Sequence, residues 1–317
     1  MLIVTENELR DTKASWNEMI DVIEEAIFCL HNHDYAQPLK PYLRYKDINN
    51  RIIAMPAYIG GRFDIAGIKW IASFPGNIDR GLPRAHSVVI LNHADTGVPL
   101  AIINTPLLSI YRTASVSGVI LKRYIENCKT NSLRVAIIGM GPIGRHHMLL
   151  CEELLGDRAE SYMIYDIRKI DTTFIPLICR KKMYIAPNWQ EAYRKADIII
   201  TCTVSKERYI NEQPRPGTLL LNVSLRDYQA NVFDAVKQSI IVDDWDEVCR
   251  ENTDIELFYK EKGLRQEQVY TIADVVCENA LSSIAPNMPI MFNPMGMGVF
   301  DIALGKYYYQ RLSGECM

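Results

Sequence analysis

The stretch RVAIIGMGPIG, residues 134–144, decides the fold of the second half of the chain. Its first part is a continuous apolar run that predicts a buried strand, and its second part is a G-x-G-x-x-G pattern that opens a predicted helix from about Ile143. The first glycine of such a pattern allows a tight turn, the second lets the backbone approach a pyrophosphate, and the third lets the helix pack closely on the strand. A helix N-terminus also stabilises phosphate charge. We therefore predict a dinucleotide site formed by Gly139, Gly141, Pro142, Ile143 and Gly144.

Asp166 ends the next predicted strand, residues 161–166, and is the candidate ligand of the adenosine ribose. A carboxylate there accepts hydrogen bonds from the ribose hydroxyls and repels a 2′-phosphate, which favours NAD over NADP. The spacing from Gly139 is longer than the usual ~20 residues, which fits a longer helix and loop over 144–160. Arg168 would neutralise a 2′-phosphate, and a purely structural glycine turn remains the alternative.

Strands alternate with helices beyond this turn, a pattern typical of βαβ units and a parallel sheet. The predicted helices begin at Ile143 and cover 189–196 and 230–237, and the predicted strands are 134–140, 161–166, 183–185, 197–203, 218–223 and 239–244. The fold class is therefore α/β, with a Rossmann-type NAD-binding domain over residues 123–289.

The N-terminal third has a different pattern. Apolar residues at helical spacing predict a helix over 15–31. Runs rich in β-branched residues predict mostly antiparallel strands, including a hairpin over 86–103, and the tail predicts a last helix. The strands are 51–58, 65–72, 86–93 and 98–103, and the tail helix is 298–312. We expect an α+β substrate-binding and dimerisation domain made of residues 1–122 with 290–317.

The composition excludes several classes of protein. A net charge of −3 argues against a nucleic-acid binder, and no apolar run is long enough for a membrane span. The acidic N-terminus has no signal-peptide pattern, which favours a cytoplasmic location. The eight cysteines form no CxxC pair and show no zinc-like spacing with histidine, so we expect reduced, buried thiols and no metal site.

Cations in the N-terminal third are candidates for binding a carboxylate substrate. Lys69 interrupts an apolar strand, and a buried lysine needs an anionic partner, either a substrate carboxylate or an internal acid. Arg112 precedes Thr113, Ala114 and Ser115 at what we expect to be a helix start, where an arginine and a helix N-terminus together would clamp a carboxylate. The further candidates are Lys40, Arg44 and Arg84; for Lys40 and Arg84 a solvated surface position is the alternative.

Asp227 follows the predicted strand 218–223, at the edge of the sheet where ligands bind in open α/β folds. A carboxylate there would accept and donate protons near the nicotinamide. The alternative role is a loop cap. His146 and His147, in the helix after the glycine turn, are interpreted as packing or phosphate-proximal residues.

A set of motifs in fixed order resembles the ornithine cyclodeaminase/μ-crystallin family over essentially the whole chain. The motifs are GIKW at 67–70, N-x-x-RGLP at 77–83, YRTAS at 111–115, GMGPIG at 139–144, TCTVS at 201–205 and the Asp227 loop. The resemblance implies NAD as cofactor and a homodimer built by the N-terminal domains. It also implies that Arg44, Lys69 and Arg112 bind the substrate α-carboxylate, that Asp227 is catalytic, and that Thr201 and Thr203 pass near the nicotinamide.

The segments QPLKPYLR, RIIAMP, GIKWI, ITCTV and NPMGM are similar to the branch of this family that makes L-2,3-diaminopropionate for siderophores and peptide antibiotics. That resemblance implies oxidative hydrolysis of a tricarboxylate secondary amine, supplied by a pyridoxal-phosphate-dependent synthase. Ile53 stands where cyclodeaminases have a glutamate, and Arg84 where the family often has threonine; both changes favour a carboxylate-rich substrate. The alternatives are a cyclodeaminase, an amino-acid dehydrogenase, a ketimine reductase, or a non-catalytic ligand-binding protein.

Overall fold

The structure is a computed structural model that describes residues 1–314. The α-helices are α1 (Glu6–Asp11), α2 (Trp16–His31), α3 (Leu107–Asn127), α4 (Pro142–Leu155), α5 (Leu177–Lys181), α6 (Trp189–Arg194), α7 (Phe233–Val236), α8 (Trp245–Val248), α9 (Asp254–Lys262), α10 (Ile272–Cys277) and α11 (Gly298–Ser313). The strands are β1 (Leu2–Val4), β2 (Tyr35–Ala36), β3 (Tyr42–Tyr45), β4 (Asp47–Ile59), β5 (Ile65–Ser73), β6 (Ala85–His93), β7 (Pro99–Ile103), β8 (Leu133–Ile138), β9 (Ala159–Tyr165), β10 (Met183–Ile185), β11 (Ile198–Thr201), β12 (Leu219–Asn222), β13 (Ile240–Val242), β14 (Tyr270–Thr271) and β15 (Ile290–Asn293).

The chain divides into two compact units. Unit 1 contains residues Met1–Ser115 and the chain from Gly296 onward, and unit 2 contains Val116–Met295. The first division falls inside α3, a little before the boundary at 122 that we expected, and the second falls a few residues after the expected boundary at 289.

Unit 1 is built on a sheet in the order β1-β7-β6-β5-β4-β2, with β3 also paired to β4. The strands from β7 to β2 are antiparallel, and β6 and β7 form the predicted hairpin. The α2 helix begins after the N-cap Ser15, whose hydroxyl accepts a hydrogen bond from the Glu18 N–H, so the predicted helix is confirmed. The α11 helix packs against α2 and against β4, β5 and β6.

The two faces of this sheet differ in burial. Residues that alternate along β4, β5 and β6 and include Met55, Lys69 and Val89 are buried. The opposite face carries apolar side chains that stay partly exposed, Trp70 at 45%. The partly exposed side chains are those of Ile52, Ala54, Pro56, Ile68, Trp70, Val88, Ile90, Leu100 and Ile102. Unit 1 alone therefore leaves one apolar sheet face without a covering layer.

Unit 2 is an open sheet of parallel strand pairs in the order β10-β9-β8-β11-β12-β15-β13-β14. The predicted parallel sheet is confirmed, and the apolar run at 134–138 forms the fully internal strand β8. The strand that follows β8 in sequence, β9, pairs with one edge of β8, and β11 later pairs with its other edge. Strand order reverses at β8 and β11, and ligands bind at such a switch point in open α/β sheets.

All seven cysteines in residues 1–314 are free thiols, of which Cys29, Cys151 and Cys179 are buried and the others are half-buried; Cys316 lies outside the described residues.

Within residues 1–314, no helix combines the length and the apolar character that crossing a membrane requires.

Candidate functional site

The glycine turn joins β8 to α4 at the switch point of the unit 2 sheet. Gly139 has a φ of +98°, which L side chains rarely adopt, and its N–H donates to the Tyr165 carbonyl oxygen at 2.8 Å. A Cβ at Gly139 would lie 2.6 Å from the Cys202 carbonyl oxygen, and a Cβ at Gly144 would lie 2.0 Å from the Gly139 carbonyl oxygen. These two glycines are therefore required by the packing of the turn itself.

Gly141 differs from its two neighbours. A Cβ there would meet nothing within 4 Å, and its φ of −69° is open to any residue. The space in front of Gly141 lies at the N-terminus of α4, where free backbone N–H groups favour an anion. Since no packing within unit 2 requires a glycine here, the residues present fit a pyrophosphate that approaches the backbone. Pro142 and Ile143 follow as the first two residues of α4.

Asp166 immediately follows β9 and supports the same turn. Its Oδ2 accepts a hydrogen bond from the Met140 N–H at 2.8 Å, and its Oδ1 accepts one from the Arg168 N–H at 2.9 Å. Each carboxylate oxygen has a second lone pair. Asp166 can therefore bind ribose hydroxyls while it holds the glycine turn, and that role remains a prediction.

Alanine substitutions at two of these glycines separate a ligand role from a structural one. We expect Gly141→Ala to keep the wild-type melting temperature and to weaken NAD binding by about tenfold or more, because the methyl occupies the approach of the pyrophosphate. We expect Gly144→Ala to lower the melting temperature, since its Cβ would overlap the Gly139 carbonyl. Thermal melts and NAD titrations by fluorescence measure both. Unchanged NAD affinity in folded Gly141→Ala contradicts the cofactor assignment.

Asp227 is fully buried in unit 2 and is held by hydroxyl groups. Thr203 Oγ1 donates to its Oδ1 at 2.5 Å, and the Ser224 hydroxyl donates to its Oδ2. Burial raises the pKa of Asp227 to about 6, and the bonds from Ser224 and Thr203 oppose that rise. A carboxyl group with this pKa changes its protonation near neutral pH, as a proton relay requires.

The loop that carries Asp227 is fixed by buried polar side chains that the sequence analysis missed. Asp254 Oδ2 accepts from the N–H groups of Asp227 at 3.1 Å and of Tyr228 at 3.2 Å. Asn222, at the end of β12, donates to Asp254 at 3.0 Å. Thr201, at the end of β11, donates to Asn222 Oδ1 at 3.2 Å and is fully buried, so it supports this network. The backbone N–H of Asp227 thus fixes the position of this residue. Its carboxylate accepts hydrogen bonds from side-chain hydroxyls instead of capping the loop.

A buried charge cluster lies in unit 1. Lys69 Nζ, 1% exposed, donates to Asp301 Oδ1 at 2.9 Å and to Ser109 Oγ at 2.6 Å. Arg112 Nε lies 3.1 Å from Asp301 Oδ2. Lys69 therefore has the internal acid that we kept as its alternative partner, but that single carboxylate is shared by two cations.

Lys40 adds a third buried cation to this cluster. Its Nζ donates to the Gly296 carbonyl oxygen at 2.8 Å. Burial lowers the pKa of Lys69 to about 8; Asp301 opposes this shift, while Arg112 and Lys40 add to it. Asp301 thus supplies one carboxylate to the two buried cations Lys69 and Arg112, and this surplus of buried positive charge favours binding of a further anion. We call Lys40, Lys69, Arg112 and Asp301 the Lys69 cluster.

The expected helix start at Arg112 is wrong. The α3 helix begins five residues earlier, at Leu107, where Thr105 Oγ1 accepts a hydrogen bond from the Leu107 N–H at 3.1 Å. Thr113, Ala114 and Ser115 continue the helix because small residues pack well inside it. Arg112 therefore reaches Asp301 from a helix interior, and no helix N-terminus assists it.

Arg44 and Arg84 lie apart from the Lys69 cluster. Arg44 is exposed on β3, with its guanidinium 5.0 Å from the centre of the Tyr42 ring. Arg84 precedes β6 and is half-buried, and the following residue Ala85 pairs with Ser73, the last residue of β5. The structure thus brings three of the five predicted cations together and places the other two at the end of the sheet.

Asp301 is the residue of this cluster that the sequence analysis missed. A signal was present, because Asp301 is the one acid in the otherwise apolar stretch GVFDIALG of α11. His147 behaves as predicted for a packing residue: its Nε2 lies 2.9 Å from Ser117 Oγ, and burial lowers its pKa to about 4. Residues 1–314 contain no group of three or more His, Cys, Asp or Glu side chains able to hold a metal ion.

Comparison with known proteins identifies relatives over the full chain. The model of the "Ornithine cyclodeaminase/mu-crystallin family" matches residues 2–315. N-((2S)-2-amino-2-carboxyethyl)-L-glutamate dehydrogenase of Staphylococcus aureus is 31% identical over 98% of this chain and 95% of its own length.

Solved structures share the fold, and the α/β class predicted above is confirmed. Delta(1)-pyrroline-2-carboxylate reductase of Thermococcus litoralis, solved with NADH and L-proline, superimposes with a TM-score of 0.84 at 23% identity, covering 99% of this chain and 98% of its own. An archaeal alanine dehydrogenase dimer with bound NAD gives 0.83 at 24% identity, covering 100% and 97%. With the family model matched from residue 2 to residue 315, this chain belongs to the ornithine cyclodeaminase/mu-crystallin family.

Proposed function

We propose that the protein is an NAD-dependent dehydrogenase that converts N-[(2S)-2-amino-2-carboxyethyl]-L-glutamate and water to L-2,3-diaminopropionate and 2-oxoglutarate. The observation that carries the proposal is the Lys69 cluster, in which the buried cations Lys69 and Arg112 share the single carboxylate of Asp301. Such a cluster is suited to a substrate carboxylate. The relative from Staphylococcus aureus, which carries this enzyme name, supports the choice of substrate.

Lys69 and Arg112 would bind the α-carboxylate of the glutamate moiety. Lys69 is a compact donor fixed by Ser109 and Asp301, and Arg112 offers the planar fork that suits a carboxylate. Because both cations are already oriented by Asp301, little side-chain entropy is lost when the substrate binds. A fixed carboxylate holds the adjacent Cα–H in one orientation, and orientation of the reacting atoms supplies a large share of the rate.

Unit 2 would supply the cofactor and the proton relay. Gly139, Gly141, Gly144 and Asp166 would hold NAD⁺, and the bound cofactor would supply the acceptor for the hydride of the glutamate Cα–H. Asp227 would take the proton of the substrate ammonium and release it to solvent, so that the nitrogen lone pair can form an iminium as the hydride leaves. As a carboxylate again, Asp227 would take a proton from the water that adds to the iminium carbon and pass it to the nitrogen. The C–N bond would then break, with the proton of the new hydroxyl leaving to solvent. Thr203 and Ser224 hold the two oxygens of Asp227 in place for these transfers.

Ile53 argues against ornithine cyclisation. It pairs with Ile71 in the sheet and lies two residues from Met55, the direct neighbour of Lys69, so it is on the same face as Lys69. Its apolar side chain cannot pair with the second ammonium group of ornithine. The upstream enzyme of the proposed route would be a pyridoxal-phosphate-dependent synthase that joins the two halves of the substrate.

A spectrophotometric assay tests the proposed function. The substrate named above and NAD⁺ are incubated with the protein, NADH is followed at 340 nm, and the products are read by mass spectrometry. NADH with equimolar 2-oxoglutarate and diaminopropionate supports the proposal. Proline and ammonia from ornithine, without oxidation of the tricarboxylate, would identify a cyclodeaminase instead.

We also propose that the protein is a homodimer that covers the apolar sheet face of unit 1 with a second copy. Ile68 and Ile90 are cross-strand neighbours on that face. We expect Ile90→Arg to give a monomer, because burying an unpaired guanidinium in an apolar interface is unfavourable. Ile178→Arg, at a 55% exposed isoleucine of α5, is the matched control and keeps the dimer. Light scattering after size-exclusion chromatography measures both masses, and an unchanged mass for Ile90→Arg contradicts this interface.

A further inference from the structure

Arg51 lies on the same face of the unit 1 sheet as Lys69. In β4, Arg51, Ile53 and Met55 alternate, so their side chains project to one side. Met55 pairs with Lys69 and Arg51 pairs with Ser73 on β5. Arg51 is thus four residues along the strand from the neighbour of Lys69, about 13 Å at the backbone.

Two guanidinium groups lie near the same aromatic ring at this end of the sheet. The Arg51 guanidinium carbon lies 5.5 Å from the centre of the Tyr42 ring, and that of Arg44 lies 5.0 Å from it. Tyr42 pairs with Ile53, so the ring belongs to the same face. The aromatic ring orients both cations and attracts them modestly.

Arg51 makes no ion pair or hydrogen bond with any other residue in the range 1–314; its interaction with the Tyr42 ring is the contact the structure gives it. It is half-buried. An anion beside Arg51 would accept charge-assisted hydrogen bonds from its guanidinium.

We propose that Arg51 determines substrate specificity by binding, together with Arg44, a carboxylate of the substrate remote from the one held by Lys69. This inference rests on the proposed function and assigns to Arg51 the side-chain carboxylate of the glutamate moiety. The backbone positions of the two sites are about 13 Å apart along β4, with the single residue Ile53 between them on this face. Ile53, between the two sites on the same face, contacts the apolar methylenes that join the carboxylates.

Kinetics with two substrates test the assignment. The second substrate is the glutamine-derived analogue, in which an amide replaces the side-chain carboxylate. We expect Arg51→Gln to lower kcat/KM for the glutamate-derived substrate by about 10- to 100-fold, mainly through KM, since hydrogen bonds to charged groups contribute ~1.5–3 kcal/mol. For the glutamine-derived analogue, Arg51→Gln should lower kcat/KM by less than about threefold. Arg62→Gln is the matched control, because Arg62 also lies over an aromatic ring, Phe63, but is exposed and pairs with Glu25.

Equal losses for both substrates would mean that Arg51 only supports the sheet, and no loss for either would mean that it does not touch the substrate; both results overturn the inference. Arg51→Lys should recover part of the selectivity for the carboxylate, because the charge returns without the fork.

Calorimetry separates this inference from the proposed function. Glutarate and butyrate are titrated into wild type, Arg51→Gln and Arg62→Gln, with and without NAD⁺. We expect Arg51→Gln to weaken glutarate binding about tenfold or more and to leave butyrate binding unchanged. If the wild type oxidises neither substrate but glutarate binding depends on Arg51, the proposed reaction fails and the dicarboxylate site stands. Glutarate binding that is independent of Arg51 overturns the site whatever the kinetics.

Discussion

Asp227→Asn is expected to lower kcat by about 10²- to 10⁴-fold, the usual contribution of a positioned acid–base group. The amide is isosteric and can still accept from Thr203, so the Asp227 loop, which is held by Asp254 through its backbone, should keep its conformation. NAD affinity should change little, because the glycine turn does not depend on this side chain. Steady-state kinetics and an NAD titration measure the two quantities separately.

The pH profile identifies the proton relay more directly than the size of the loss. With the pKa of Asp227 raised to about 6 by burial, the carboxylate base forms as pH rises through 6, so kcat/KM should increase over that range. With the pKa of Lys69 lowered to about 8 by burial, its positive charge is lost above that pH, and binding of the α-carboxylate should weaken. The expected profile is a bell between these limits.

Asp227→Asn should lose the acid limb of this bell and keep the alkaline limb. Asp234→Asn provides a matched control, because Asp234 is an exposed aspartate of α7 in the same unit. It should leave both limbs unchanged. Near-normal kcat in Asp227→Asn, or an acid limb that survives the substitution, would contradict the assignment of Asp227 as the relay.

The fold of unit 2 could be predicted because its signals are local. The apolar run before Gly139 and the glycine spacing after it specify a strand, a turn and a helix within a few residues, and the structure has β8 and α4 there. Gly144 illustrates the physical reason, since its hydrogen faces the Gly139 carbonyl and no larger residue fits. Alternation of such units along the chain then fixes a parallel sheet.

The charge cluster of unit 1 could be predicted only in part. A lysine inside an apolar strand signals a buried partner, but the partner of Lys69 is Asp301, which lies 232 residues away in sequence. Nothing local to β5 identifies an acid on the last helix. A long sequence separation also explains the error at Arg112, whose partner is again Asp301. Because the sequence does not show that Asp301 contacts Arg112, the small residues that follow Arg112 suggest a helix start instead.

Removal of Asp301 is expected to have the largest effect on stability. It is fully buried and is the carboxylate that Lys69 and Arg112 share. Breaking a buried ion pair by removing one partner leaves uncompensated charge and destabilises by about 3–5 kcal/mol. We expect Asp301→Asn to lose stability of this order, measured by denaturant unfolding of the NAD-free protein.

The decisive comparison is with the double variant Asp301→Asn/Lys69→Met. If the loss in Asp301→Asn comes from unpaired cations, removing one of them should restore part of the stability, so the double variant should be more stable than the sum of the two single losses predicts. A second readout is kinetic. Because Asp301 raises the pKa of Lys69, folded Asp301→Asn should lose the α-carboxylate interaction at a lower pH, and the alkaline limb should move below 8. If the two stability losses are additive and the alkaline limb does not move, Asp301 does not set the charge of Lys69. The remaining members of the Lys69 cluster would then have to bind the substrate anion without help from Asp301.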